Sequence, residues 1–214
     1  MKHHLLSYRL HPGILLCLLF CLSQCIVPYE SARMLPKGAA EIKGGFSHSL
    51  ASEDGESEGL NNGLGIGLGY GITDRINLKI RYERLLPVDS DGEGFNYLGF
   101  GPKFGVVPGK FAMMFPFGLY FAEGETTWGM HPAFLFTLPA RSNRFEGTFG
   151  ARTDIFFESE AELLIALNLG LGFSQDLDRW AIRPDWGLII DPGESGVIWT
   201  FGVGFNYNIG AEEK

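Results

Sequence analysis

The stretch GLGIGLGYGI, residues 63–72, has glycine at every second position and a bulky apolar residue, Leu64, Ile66, Leu68, Tyr70 or Ile72, at each position between. A period of two is the strand period, so one face of this strand carries large side chains and the other carries none. A bare face cannot fill a core. Something opposite must occupy its space, and the apolar face needs a solvent of its own. The next segment decides which solvent. After a short turn at Thr73–Arg75, Ile76, Leu78, Ile80 and Tyr82 keep the apolar parity, while Asn77, Lys79, Arg81 and Glu83 alternate with them. If the charged face pointed to water, the glycines would be exposed too, and unexplained. If it points inward, the glycines leave room across a hollow for the long Lys79 and Arg81 side chains.

The same rule recurs along the chain. Leu98, Phe100 and Phe104 oppose Tyr97, Gly99 and Lys103, and Phe111–Phe121 sets Phe111, Met113, Phe115, Phe117, Leu119 and Phe121 on one face. Met130, Phe134, Phe136 and Leu138 oppose His131 and Thr137; Phe145, Phe149 and Ala151 oppose Glu146, Thr148, Arg152 and Asp154. The segments 163–173, 180–190 and 197–209 alternate most cleanly, with Arg183 and Asp185 on the inner parity of the second. With 40–50 as the first, this predicts about ten strands of about 9 to 13 residues, the length that crosses a bilayer at a tilt. A soluble barrel or sandwich also alternates, but it hides the apolar face and would leave Lys79 and Arg81 outside. The reading is therefore all-β: a closed antiparallel up-and-down transmembrane β-barrel of about ten strands spanning 40–210, with a tail at 211–214.

The connections sort by charge. ASEDGESEGLNN, LLPVDSDGEG, AEGETT, ESEAE and DPGESG fall at one rim and are acidic; TDR, VVPGK, PARSN and SQDLD fall at the other, with Arg75, Lys110, Arg141 and Arg179 in or beside them. Tyr70, Trp180 and Tyr207 fall at one set of strand ends and Tyr82, Phe121, Trp128 and Trp199 at the other, as interfacial aromatic girdles require, while Trp186 sits mid-strand. Pro102, Pro116, Pro132 and Pro184 lie inside predicted strands, where each removes a ladder donor.

Ahead of the barrel, Lys2 and Arg9 precede the apolar run Ile14–Leu22, the layout of an export signal over residues 1–24. All three cysteines, Cys17, Cys21 and Cys25, lie in or just after this run, so the exported part carries no internal disulfide. Residues 25–39 contain two prolines and no period, and are read as a tether. The formal net charge of -8 argues against a nucleic-acid partner. No metal spacing or phosphate loop occurs, and no cofactor is expected.

The pattern over Ala40–Ile209 resembles bacterial outer-membrane β-barrel proteins. In the last strand Thr200, Gly202, Phe205 and Tyr207 are similar to the carboxy-terminal signal of that family, which implies the barrel assembly machinery as a partner. LSQC, Leu22–Cys25, resembles a lipobox, which implies acylation at Cys25; a plain secretory signal is the alternative. SARMLPKGAAEI, Ser31–Ile42, is similar to the lead-in of other such proteins. The resemblance implies a bacterial outer-membrane location, with outer-membrane lipids as partners and any extracellular ligand unnamed. Lys79, Arg81, Glu83, Lys103, Glu146, Arg152, Asp154, Arg183 and Asp185 are expected to face the lumen as a charge network that plugs it, giving a structural or adhesive envelope protein. Two alternatives are a narrow channel for small solutes and a lipid-modifying enzyme. For the enzyme, His131 is the candidate base, but no serine is near it in sequence, and no catalytic residue is assigned.

Overall fold

The computed structural model describes residues 29–53, 56–88, 94–122, 125–139, 142–157, 163–193 and 195–210; the expected signal peptide, Cys25 and the tail at 211–214 lie outside these. Twelve strand segments follow in order: β1 (Ala40–Glu53), β2 (Glu56–Thr73), β3 (Ile76–Pro87), β4 (Phe95–Val107), β5 (Phe111–Met114), β6 (Phe117–Ala122), β7 (Glu125–Met130), β8 (Ala133–Pro139), β9 (Phe145–Phe156), β10 (Leu163–Phe173), β11 (Trp180–Ile190) and β12 (Val197–Ile209). They form ten staves, because β5 and β6 are two halves of one pass along β4, and β7 and β8 are two halves of the next, along β9. Every stave is antiparallel to its chain neighbours. The last closes on the first through a ladder running from Ala40↔Ile209 to Ser52↔Val197. The molecule is thus an all-β, closed, antiparallel up-and-down barrel of ten strands, in which every stave pairs with a neighbour on each side.

Both splits occur at prolines. Phe115–Pro116 separates β5 from β6, and His131–Pro132 separates β7 from β8, because a proline gives no N–H to the ladder. The neighbouring staves stay joined through the proline carbonyls: His131 N–H donates to Pro116 O at 2.9 Å and Thr153 N–H to Pro132 O at 3.0 Å. Pro102 and Pro184 remain inside β4 and β11. The rims also differ from the sequence expectation. The segment expected as a loop over 51–62 is largely strand, since Leu50–Glu53 pairs with Glu56–Gly59 beyond a register shift at Ser49/Leu50. Polar residues pair as readily as apolar ones once the backbone ladder is running, so hydrophobic alternation ends before the strand does.

Side-chain parity puts the apolar face outside. Leu64, Ile66 and Leu68 are 57%, 66% and 56% exposed and Ile80 44%, whereas Lys79 is 7% exposed. Phe100, Phe134, Phe149, Leu169, Ile182 and Phe205 continue the outer surface around the wall.

The stretch read as a tether lies, from Tyr29 onward, inside the barrel. Tyr29, Ala32 and Leu35 are buried, and Tyr29 Oη donates to Phe46 O at 2.6 Å. The segment leaves at the short-turn end through Pro36–Ala39, where Ala39 N–H donates to Pro36 O at 3.0 Å and Gly38 has φ +83°. That is the third position of a turn that demands positive φ, which glycine supplies without strain. Wall glycines make the space: a Cβ on Gly45, Gly202 or Gly204 would overlap the Tyr29 ring or its Cβ, one on Gly105 would meet Met34, and one on Gly71 the Pro36 carbonyl. In β2 itself, Gly65 abuts Glu83 and Gly69 abuts Glu41, Lys79 and Leu35. The glycine face is bare because chain and charge fill the volume beside it.

This packing predicts that Gly204→Ala expels the Tyr29 end while the barrel stays closed. An overpacking cost of about 1–3 kcal/mol raises the open population by about fivefold to a hundredfold. Limited trypsin digestion of the detergent-solubilised barrel should then cut faster after Arg33. Gly44→Ala, whose added Cβ would meet only Gly65 O at 4.0 Å, should digest like the parent, and equal rates for all three proteins would contradict the account.

Candidate functional site: the charged interior

Inner parity turns every charged residue assigned to the lumen from sequence inward, and all but Asp185 join one of four neighbouring groups. In the first, Lys103 Nζ donates to Glu30 Oε2 at 2.8 Å and to Ser31 O at 2.6 Å, while Lys43 and Lys79 pair with Oε1 of the same glutamate, Lys79 at 3.4 Å. Glu41 completes the group, bonded to Lys79 and 3.2 Å from Lys43. In the second, Arg33 and Arg183 clamp Glu146 from two sides: Arg183 Nη2 donates to Oε1 at 2.6 Å and Arg33 Nε to Oε2 at 2.5 Å. Arg183 Nε also donates to Asn206 Oδ1 at 2.9 Å, and Arg33 reaches Asp178 and Asn143 at the short-turn rim. Glu146 is completely buried, and two guanidiniums meet its charge.

The third group joins Arg81 to Glu83 within β3, Nε to Oε1 at 2.8 Å. Asp185 is placed apart from these pairs. It is buried on β11 between Gly170 and Gly202, and its Oδ1 accepts no hydrogen bond among the described residues. The fourth group sits behind the proline breaks: Arg152 Nη2 donates to Asp154 Oδ2 at 2.8 Å, and His131 Nδ1 lies 2.7 Å from Asp154 Oδ1. The other imidazole nitrogen faces Tyr120 Oη at 3.5 Å, and Tyr97 packs edge-on to the ring. A histidine oriented by a carboxylate is half of a nucleophilic constellation. Here its other nitrogen meets a phenol, its surroundings are Tyr97, Tyr120 and Phe156, and the barrel wall stands between it and the apolar exterior.

The inserted segment is hydrogen-bonded to the wall at several points along its length. Ala32 N–H donates to Thr137 Oγ1 at 2.7 Å, Leu35 N–H to Asn77 Oδ1 at 2.9 Å, and Asn77 Nδ2 returns a bond to Leu35 O at 3.2 Å. Lys37 N–H donates to Asp74 at 3.0 Å. Its buried backbone groups would otherwise each be orphaned. Ala32 packs with Ala112, Met114, Ala133 and Leu135, joined by Met34. Below Tyr29 a cavity of about 670 Å³ reaches the short-turn end, lined by Glu30, Lys43, Lys79, Lys103 and Arg183 among others; beyond it a space of about 80 Å³ remains beside Arg81, Glu83 and His131.

Sequence reasoning missed Tyr29, Glu30, Arg33, Glu41 and Lys43. The last two were readable: Glu41 and Lys43 flank the outward Ile42 on the inner parity of β1. Thr200 and Gly202 face inward on β12, and Phe205 and Tyr207 face outward. All four lie on the strand that closes the barrel.

No protein-family model and no curated protein sequence matches the chain. Solved structures similar to it include the attachment invasion locus protein Ail of Yersinia pestis, at 13% identity over 81% of this chain and 99% of that one, TM-score 0.39. Neisserial surface protein A matches at 12% over 80% and 99%, TM-score 0.39, and an outer-membrane channel of Pseudomonas putida F1 at 10% over 87% and 100%, TM-score 0.46. These likenesses are of overall shape and carry no residue correspondence.

Glu146→Leu leaves Arg183 buried without its carboxylate and should lower stability by about 3–5 kcal/mol, measured by urea unfolding of the folded barrel in micelles. Arg183→Met in the Glu146→Leu background should return part of that loss, with a coupling of about 0.5–3 kcal/mol. Strictly additive losses would show that the two side chains do not act as a pair.

Proposed function

We propose that the chain is an integral barrel of a bacterial outer membrane, with a structural or adhesive role in the envelope and an interior filled by its own charges and by residues 29–39. One observation carries this reading: large apolar side chains cover the outside of a closed sheet while the lysines, arginines and carboxylates of the strands turn inward. In water this arrangement would be inside out. In hydrocarbon it is the favourable one, since closure satisfies every backbone group and the exterior meets lipid tails. Outer-membrane lipids are then the partners of Leu64, Ile66 and Leu68, and the barrel assembly machinery is the proposed reader of Thr200, Gly202, Phe205 and Tyr207. The paired hairpin around Glu53 and Glu56 extends past the alternating apolar region and presents an acidic rim. That rim is the part of the wall open to an external surface. The reading assigns no catalytic step, because His131 points into the barrel and is engaged by Asp154.

The test is fractionation and electrophoresis. The protein should sediment with outer membranes, resist carbonate extraction and migrate faster on a gel before boiling than after. Ile66→Arg, near the middle of the apolar region, should destabilise the barrel in bilayers by about 2–4 kcal/mol. A soluble product with heat-insensitive mobility would overturn the reading.

A further inference from the structure

We infer that Lys43, Lys79 and Lys103 form a binding site for a compact dianion, such as a small dicarboxylate or hydrogen phosphate, and that Glu30 is its built-in occupant. The inference rests on the barrel reading above and goes beyond it. The three ammonium groups come from three different staves, β1, β3 and β4, and converge on a carboxylate that belongs to none of them. Glu30 Oε2 takes Lys103, and Oε1 takes Lys43 and Lys79. The wall provides only Glu41 against these three, so without Glu30 the site holds three positive charges and one negative, a surplus of two. Lys103 is 1% exposed, and a buried ammonium with no counter-charge is strongly unfavourable. The vacated site therefore demands an anion, and a compact dianion neutralises it.

The surroundings fit an exchangeable ligand better than a sealed ion pair. All three lysines and Glu30 line the cavity of about 670 Å³ that reaches the short-turn end, so a solute arriving from that side meets them directly. Among the described residues, the side-chain partners of Glu30 are these three lysines. Arg33, Leu35 and Lys37, nearer the mouth, have their own wall partners in Glu146, Asn77 and Asp74. Exchange requires only that the Glu30 side chain swing off its three lysines, while Tyr29 keeps its bond to Phe46 O and the residues nearer the mouth keep theirs. Ser31 O, the second acceptor of Lys103, leaves its ammonium with one protein partner when Glu30 withdraws.

The experiment is titration calorimetry of the folded, detergent-solubilised full chain with malonate and, separately, inorganic phosphate at low ionic strength. Glu30→Gln removes the competing charge and should bind one or both anions about tenfold or more tighter than the parent. Adding Lys103→Met to that background should abolish the gain. Glu58→Gln, at the opposite rim, should leave affinity unchanged. If Glu30→Gln retains its heat-modifiable mobility and binds neither anion better than the parent, the proposal is overturned while the barrel reading stands. If it binds tightly but Lys103→Met makes no difference, the site lies elsewhere and the proposal is equally overturned. Parent protein lacking the heat-modifiable form would instead count against the barrel reading.

Discussion

Enclosed charge is the constraint that the rest of this molecule answers to. Once the apolar parity of ten staves is turned outward, every lysine, arginine and carboxylate on the other parity is committed to a space with little water, and each must find a partner there or cost several kcal/mol. The wall meets part of the demand itself, through Arg81 with Glu83, Arg152 with Asp154 and Lys79 with Glu41. It does not meet all of it. Lys103 has no wall carboxylate within ion-pair distance among the described residues, and Glu30 of the inserted segment serves it. Arg33 likewise adds the second cation on Glu146. The segment is a component of the charge balance as well as of the packing.

Glycine is the other half of that arrangement. A stave bearing large side chains on its inner face would have excluded both the long basic chains and the inserted backbone. The wall instead carries Gly45, Gly202 and Gly204 where the Tyr29 ring lies, and Gly65 and Gly69 beside Glu83 and Lys79. The loss of side-chain packing at these positions is offset by contacts from residues far away in sequence, so strands that would be poor on propensity alone become well filled.

The wall was legible because its signal repeats. The outward parity of Leu64, Ile66, Leu68 and Ile80 follows from period two, and the inward parity of Lys79, Lys103, Arg152 and Arg183 follows from it in turn. The prolines marked trouble at 116 and 132 and not at 184, and Pro102, though inside β4, faces the same break from the neighbouring stave, where Phe115 N–H donates to its carbonyl. Residues 29–39 were not legible. Eleven residues with three charges, no period and no strand pattern read as a linker, because they are held by tertiary partners such as Asn77, Thr137 and Glu146 that lie more than forty positions away. A clue was present in the surplus of bare inner positions: β12 carries Gly202 and Gly204 on the same parity as Thr200 and Asn206, with no long charged chain among them to need the room.

That surplus falls at the seam. The closing ladder sets Gly45 opposite Gly204 and Ser47 opposite Gly202, and Tyr29 lies across these pairs with its hydroxyl on Phe46 O of the same stretch of β1. The last strand to be made and the first are therefore zipped together on the surface that the inserted aromatic ring occupies. Gly202 answers two requirements at once, as the glycine of the motif that resembles an assembly signal and as the floor beneath Tyr29. The ring offers β1 and β12 a shared apolar surface across their closing ladder, and a side chain on any of the three glycines would overlap it. Gly45, Gly202 and Gly204 thus leave, on the two strands that close the barrel, the room in which the Tyr29 ring lies.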